Sequence, residues 1–276
     1  MPSSIDHVIL AGPDLDKLEQ TFTRLGFHVT GGGRHPHLGT RNRIIVLDDS
    51  YIELLAIADP ERASPALIGF IAQGGGWLGY ALQTTDIVAE TNAMRARGVD
   101  ARGPTAGSLT APDGSSRGWR VTTIGSEDIW QASFPVPFLI QHNTTGETHR
   151  MELAGAGGIA PHPNGASHLM SARHICRDVA EVAGRFQAAY NLPGGVTRTE
   201  YEGVENVSAN FALQSGEAIQ LFQGPNNTMS VRVRVTRPAI IEELHWHTTV
   251  STTRTTRTLV IPLPGLHAEL ECTSSR

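Results

Sequence analysis

The chain has 276 residues, of which 39% are hydrophobic and 18% charged, and its formal net charge is −5. A chain of this length can bury a core without covalent staples, and its two cysteines provide no disulfide framework. No Lys/Arg run indicates a nucleic-acid or anionic-membrane surface. Of the 22 basic residues only Lys17 is a lysine. It falls in a predicted exposed helix, so Schiff-base chemistry, which needs a desolvated lysine, is all but excluded.

The sequence predicts a cytoplasmic protein. Its first ten residues lack the basic region and apolar run of a signal peptide, and no apolar stretch reaches the roughly 20 residues of a membrane span. We expect a small-molecule substrate or ligand and neither a nucleic-acid nor a membrane partner. A homodimer is left open.

The first 56 residues predict one amphipathic helix among four strands. Asp14 is a suitable N-cap, apolar residues follow at helical spacing from Leu15 to Leu25, and Gly26 is a typical C-terminal stop. The predicted strands cover residues 5–12, 27–30, 43–47 and 51–56.

The same order of elements recurs. A second copy has a helix from Asp86 to Arg97 and a third has a helix beginning at Asp178. A fourth, degraded copy is predicted from a strand at 229–235 and a helix stub at 239–244. The remaining predicted strands of copies two to four cover 78–83, 99–101, 119–124, 137–142, 196–201, 207–214, 218–223, 247–253, 257–262 and 267–272.

These copies divide the chain into two pairs. We expect a first pair of βαβββ repeats in residues 1–144 and a second pair, with a degraded last copy, in 165–276. The segment between them, 145–164, is polar at its start and then rich in Gly, Ala and Pro, which is typical of a linker.

Three stretches carry a resemblance to a known family. They are IDHVILAGPDLDKLEQTFTRLGF at 5–27, GGRHPHLGTRNRIIVL at 32–47 and YIELLAI at 51–57. With the repeated βαβββ unit, they resemble the glyoxalase-like proteins of the vicinal oxygen chelate superfamily, which includes glyoxalase I, extradiol dioxygenases and bleomycin-resistance proteins. The resemblance implies an α+β fold in which pairs of modules form half-open mixed-sheet barrels.

The resemblance also implies a divalent metal inside the barrel, with ligands from the first and fourth strands of each module. The matching positions in module one are His7 and Glu53, and this pair suits Zn, Mn, Fe or Ni. Module two departs from the pattern, with Gly79 and Gln141 at the matching positions. We therefore predict His7, Glu53 and Gln141 as metal ligands, with His7 and Glu53 also catalytic. Other sources of a third ligand stay open, namely His142, His168 and Glu269.

Further polar residues are candidates for contact with a substrate. His35, His37, Thr40 and Asn42 follow a Gly-rich turn and are expected at the mouth of the barrel, where the alternative is a polar turn that holds itself together. Trp77 and His142 complete the predicted substrate-binding set. His245 and His247 are expected on the surface.

Two functions compete on this evidence. The first is a metal-dependent isomerase, lyase or ring-opening enzyme for a small oxygenated compound, with the metal as Lewis acid. Oxygen activation is less expected because no set of two histidines and one carboxylate is evident in the sequence. The second is a metal-free ligand-binding protein of the bleomycin-resistance type, which the loss of ligands in module two favours. A buried His7–Glu53 pair without metal is the structural alternative for these two residues.

Overall fold

The computed structural model describes residues 2–130, 136–242, 249–253 and 256–275. The predicted surface histidines His245 and His247 lie outside these ranges, as do parts of the predicted helix at 239–244 and the predicted strand at 247–253. No helix within the described ranges is long and apolar enough to span a membrane.

Two βαβββ units make up the first half of the chain. The first contains β1 (Ser4–Ala11), α1 (Leu15–Arg24), β2 (Thr30–His35), β3 (Thr40–Val46) and β4 (Tyr51–Ile57). After α2 (Pro65–Ala72), the second contains β5 (Gly76–Gln83), α3 (Ile87–Ala96), β6 (Ala101–Thr110), β7 (Ser116–Ile124) and β8 (Phe138–His142).

Two more units follow the helix α4 (Gly146–Ala154) and a 3-10 turn at Gly155–Gly157. The third contains β9 (Leu169–Cys176), α5 (Val179–Tyr190), β10 (Gly194–Tyr201), β11 (Val204–Ala212) and β12 (Ala218–Gln223). The fourth contains β13 (Thr228–Arg234), α6 (Ala239–Glu242), β14 (Thr249–Thr252), β15 (Thr256–Pro262) and β16 (Glu269–Ser275). The predicted α+β class and βαβββ repeat are confirmed.

The main helices begin where their capping residues predict. Asp14 accepts hydrogen bonds from the backbone N–H groups of Asp16 and Lys17. Asp86 and Asp178 cap α3 and α5 in the same way. These side chains satisfy amide groups that have no partner inside the helix. Each helix thus starts immediately after the first strand of its unit.

The first eight strands form a closed barrel in the order β1-β4-β3-β2-β6-β7-β8-β5. The first strands of the two units, β1 and β5, pair antiparallel, and the last strands, β4 and β8, run parallel to them on either side. Closure on the far side depends on a single residue pair between β2 and β6, Arg34 with Thr110. This first sheet is therefore more complete than the half-open barrel expected.

The second eight strands repeat the order as an open sheet, β10-β11-β12-β9-β13-β16-β15-β14. On this sheet the Glu271 carboxylate is buried between the guanidinium groups of Arg173 and Arg232. Contacts such as the hydrogen bond from Trp77 Nε1 to the Glu269 carbonyl, 2.8 Å, join the barrel to this sheet.

Candidate active site

A β-bulge in β1 brings two neighbouring polar side chains together. The register with β5 runs from Ile5 opposite Leu82 directly to His7 opposite Ala81, so Asp6 is the extra residue. A bulge re-aims side chains that strict alternation would place on opposite faces. The result is a buried contact of 2.6 Å between Asp6 Oδ1 and His7 Nδ1.

Glu53 occupies the centre of a second polar group, on β4 and β3. Its Oε1 accepts a hydrogen bond from Asn42 Nδ2 at 2.6 Å, and Asn42 Oδ1 in turn accepts from the Gly33 backbone N–H at 2.8 Å. His7 Nε2 lies 3.8 Å from Glu53 Oε2. His35 Nε2 lies at the same distance from Oε1. A buried carboxylate is costly unless it is paired, and these contacts provide the pairing.

A third group joins the barrel to α4. Asp6, His142 and His149 come from β1, β8 and α4, and one ligand atom from each lies within 4.8 Å of the others. His142 Nε2 is 3.1 Å from Asp6 Oδ1, and the rings of His142 and His149 are 4.0 Å apart at their centroids. The described residues thus hold two histidines and one carboxylate with the donor chemistry of a divalent metal site.

The charges around Asp6, His142 and His149 favour the binding of a cation. Burial pushes the pKa of Asp6 upward, but the neighbouring His142 and His7 outweigh burial and hold that pKa well below its usual range. Burial and the adjacent His142 lower the pKa of His149 to about 4. At neutral pH the site therefore presents an ionised carboxylate and a neutral imidazole, the forms that bind metals.

One small cavity inside the barrel, of about 70 Å³, is lined by the polar side chains His7, His35, Asn42, Glu53, His142 and His149. Asp6 is buried in contact with His7 and His142 and does not itself line the cavity. Trp119 makes an edge contact with the His35 ring, at a centroid distance of 5.8 Å, and Phe138 makes one with His7 at 5.8 Å. The His7 ring also stacks on Tyr51, at a centroid distance of 4.6 Å. The combination of polar and aromatic walls suits a small compound with an apolar part.

Six of the predicted site residues converge on this cavity or directly support it: His7, His35, Thr40, Asn42, Glu53 and His142. Thr40 acts through His35, whose Nδ1 lies 2.8 Å from the Thr40 hydroxyl. The sequence predicts His35, Thr40 and Asn42 on a loop at the mouth of the barrel. They lie instead within β2 and β3, which are paired with each other.

Three predicted residues are not brought to the cavity. Gln141 lies outside the barrel, where its side chain bonds the backbone of Thr85 and Ile87, because alternation along β8 points Ile140 and His142 inward instead. His37 is exposed in the turn after β2. Trp77 lines a neighbouring cavity of about 440 Å³ beside the second sheet, which shares the walls formed by Ile9 and Phe138 with the first cavity.

The other two sources considered for a third ligand also lie elsewhere. His168 Nδ1 is 3.5 Å from Asp48 Oδ2, and His168 is partly exposed. Glu269 is exposed on β16, where the buried carboxylate is that of Glu271, two residues later. Of the alternatives left open, His142 alone reaches the cavity.

Sequence reasoning missed Asp6 and His149. Alternation along β1 places Asp6 on the face opposite His7, and only the pairing with β5 shows the bulge. His149 falls in the segment predicted as linker, where α4 forms and packs Leu153 against the barrel. The one available signal is the spacing of four residues between His149 and Leu153, which puts both on one helix face.

Comparison with known proteins places the chain in a family. A family model described as glyoxalase-like domain matches residues 5–190. No curated protein matches the sequence at a significant level.

Solved structures of the same fold cover the whole chain. A hypothetical protein from Staphylococcus aureus aligns with a TM-score of 0.69 and 15% identity, over 97% of this chain and 98% of its own. A mutant of 4-hydroxymandelate synthase from Streptomyces coelicolor aligns with a TM-score of 0.64 and 11% identity, over 100% and 93%.

A fusion of a xylose isomerase-like TIM barrel with 4-hydroxyphenylpyruvate dioxygenase aligns with a TM-score of 0.61 and 12% identity, over 100% of this chain and 49% of its own. At these identities the likeness shows the fold alone. The family match extends over more than half of the chain and includes β1 to β4 and β8, which carry most of the cavity. The chain therefore belongs to the glyoxalase-like domain family.

Proposed function

We propose that the barrel is the active site of a divalent-metal-dependent enzyme that acts on a small oxygenated compound. The observation that carries the proposal is the convergence of Asp6, His142 and His149 from three separate elements. In this assignment these residues hold the metal, and Glu53 and His7 handle protons beside it.

The residues present fit a metal ion. Asp6 Oδ1 and His142 Nε2 are separated by 3.1 Å, and one donor atom from each of Asp6, His142 and His149 lies within 4.8 Å of the others, so these three residues would hold the ion. His149 Nε2 is buried and has no hydrogen-bond partner among the described residues. A buried polar atom without a partner is costly, and a metal bond would satisfy it.

A bound divalent metal supplies Lewis acidity that stabilises negative charge on a substrate oxygen. Glu53 is placed to move a proton on the substrate, because Asn42 fixes its Oε1 and its Oε2 faces His7. His7 connects Glu53 to Asp6 through its two ring nitrogens, so proton transfer at Glu53 is coupled electrostatically to the metal-binding carboxylate. This arrangement suits isomerase, lyase or ring-opening chemistry by proton transfer next to a polarised oxygen.

The same donor set favours a second candidate. Two histidines and one carboxylate are the ligands of non-haem iron oxygenases. This set was not evident from the sequence, and its presence removes the reason for ranking oxygen chemistry lower. Two of the solved structures of this fold are named for 4-hydroxymandelate synthase and 4-hydroxyphenylpyruvate dioxygenase.

Metal content tests the proposal directly. Untagged protein is stripped with chelator, incubated with Zn, Mn, Fe or Ni, desalted and assayed by mass spectrometry. We expect about one equivalent in the wild type and near-complete loss in His149→Ala and His142→Ala, since two ligands hold a divalent ion poorly. His37→Ala, which removes an exposed histidine, is the matched control and keeps full metal content.

Other outcomes of this panel are equally informative. Loss of metal in Glu53→Gln with retention in His149→Ala would reject the assignment above. It would support instead the sequence prediction that His7 and Glu53 bind the metal. No metal in any preparation, with unchanged thermal stability, would leave the metal-free ligand-binding protein as the better account.

Activity separates the two candidate chemistries. Proton exchange of small carbonyl compounds and lactones in D₂O, followed by NMR, should require both metal and Glu53. Oxygen uptake by the iron-loaded protein with the same compounds, without proton exchange in the Zn form, would favour the oxygenase.

A further inference from the structure

Arg117 faces the interior of the barrel. Alternation along β7 puts Arg117, Trp119 and Val121 on the cavity side, and all three line the cavity. Trp119 pairs directly with His142 across the β7–β8 ladder. Arg117 begins two residues, or about 7 Å, further along the same strand, and its side chain lines one small cavity together with His142 and His149.

This arginine is half-buried and forms no ion pair with a carboxylate among the described residues. Its Nε is buried without a hydrogen-bond partner, and the carboxylates of Glu53, Glu152 and Asp113 act on its charge through space. Arg173 and Arg232 on the second sheet, by contrast, both pair with Glu271. Burial lowers the pKa of the Arg117 side chain, which nevertheless stays charged at neutral pH.

From this placement we infer that Arg117 binds the carboxylate of an anionic substrate inside the barrel. The inference rests on the proposed function and names the substrate class: a small carboxylate with an apolar or aromatic part. The planar guanidinium matches a carboxylate in two parallel hydrogen bonds. The walls beside it are apolar and aromatic, provided by Leu109, Trp119 and Ile140, and they would surround the rest of such a compound.

Comparing the affinity of a carboxylate with that of its neutral amide tests this role of Arg117 without measuring catalysis. Benzoate with benzamide, and propionate with propionamide, are titrated by calorimetry into chelated wild type, Arg117→Gln, Arg117→Lys and Arg120→Gln. Arg120 lies on the same strand but points outward, where it bonds Gln141, so its variant is the matched control.

In the wild type we expect each carboxylate to bind about tenfold or more tightly than its amide, because hydrogen bonds between ionised groups are roughly twice as strong as neutral ones. Arg117→Gln should reduce this preference to less than about twofold, and Arg117→Lys, which keeps the charge but not the fork, should be intermediate. Arg120→Gln should keep the wild-type preference. Circular dichroism confirms that each variant is folded.

Equal binding of carboxylate and amide by the wild type, or an undiminished preference in Arg117→Gln, would overturn the inference, as would failure of both carboxylates to bind. Because the protein is stripped of metal, these results are independent of the metal proposal. If the protein never takes up metal but prefers carboxylates in a way that depends on Arg117, the metal proposal is wrong and the inference holds for a metal-free binding protein. If the protein binds metal stoichiometrically but shows no preference for carboxylates, the inference about Arg117 is wrong and the metal proposal stands.

Discussion

Asn42 contacts the buried Glu53 carboxylate and the Gly33 backbone amide at the same time. We expect Asn42→Ala to lower the free energy of unfolding by about 1–3 kcal/mol, because it removes the hydrogen bond to the buried Glu53 carboxyl group and leaves the buried Gly33 amide without that partner. Urea denaturation measures the change. Asn206→Ala, which removes only an exposed contact to the nearby Val204 carbonyl, should change stability by less than about 0.5 kcal/mol. Equal effects of the two variants would refute the role of Asn42.

At the same scale, the sequence predicts residues well where their environment is local and poorly where it depends on a partner strand. His7 and Glu53 are predictable because each interrupts an apolar strand. Asp6 is not, because the bulge that turns it inward exists only through the pairing with β5. Gln141 points outward, because the register of β8 with β5 puts Phe138, and not Gln141, at the position that corresponds to Glu53, and residues an odd number of positions apart face opposite sides of a strand.

At the scale of elements, α4 is both a connection and a wall of the site. Leu153 anchors the helix on the barrel, so Leu153→Ala should lower the free energy of unfolding by about 2–4 kcal/mol. It should also weaken metal binding, because His149 sits one turn earlier on the same face. Met151→Ala on the exposed face is the control and should leave both unchanged. Chemical denaturation and metal titration measure the two effects, and unaltered metal affinity in the Leu153 variant would contradict this view of the helix.

The elements themselves follow largely from the sequence. Aspartate caps and apolar spacing locate α1, α3 and α5 because those signals act within one turn of helix. The α4 segment escapes prediction because Gly, Ala and Pro dominate the residues after it, and its helix is stabilised by contact with β2 and β3. Tertiary contact, absent from any local pattern, decides its structure.

At the scale of the whole molecule, the contact between the two sheets contains a buried histidine, His174. Its ring lies 5.4 Å from that of Tyr80 on β5. Burial lowers its pKa from 6.5 to about 3. Between these values the unfolded chain binds a proton that the folded chain does not. The contribution of His174 is therefore fully present above pH 6.5 and is lost progressively as the pH falls toward 3.

We expect His174→Gln to flatten the loss of stability over that pH range, by an amount of order a few kcal/mol at its acid end. Denaturation curves at a series of pH values check this. His37→Gln, at an exposed site, should leave the pH dependence unaltered. An identical slope in the wild type and the His174 variant would show that other groups control the acid response.

The single residue pair that closes the barrel, Arg34 with Thr110, has a consequence for the rates of ligand exchange. Neighbouring strands elsewhere in the barrel are joined by three or more pairs, so β2 and β6 should separate most readily. A disulfide between Arg34→Cys and Thr110→Cys should then slow association and dissociation of a ligand such as benzoate by the same factor and leave its Kd unchanged. Stopped-flow measurements on the oxidised and reduced forms test this, and equal rates in the two forms would mean that ligands enter by another path.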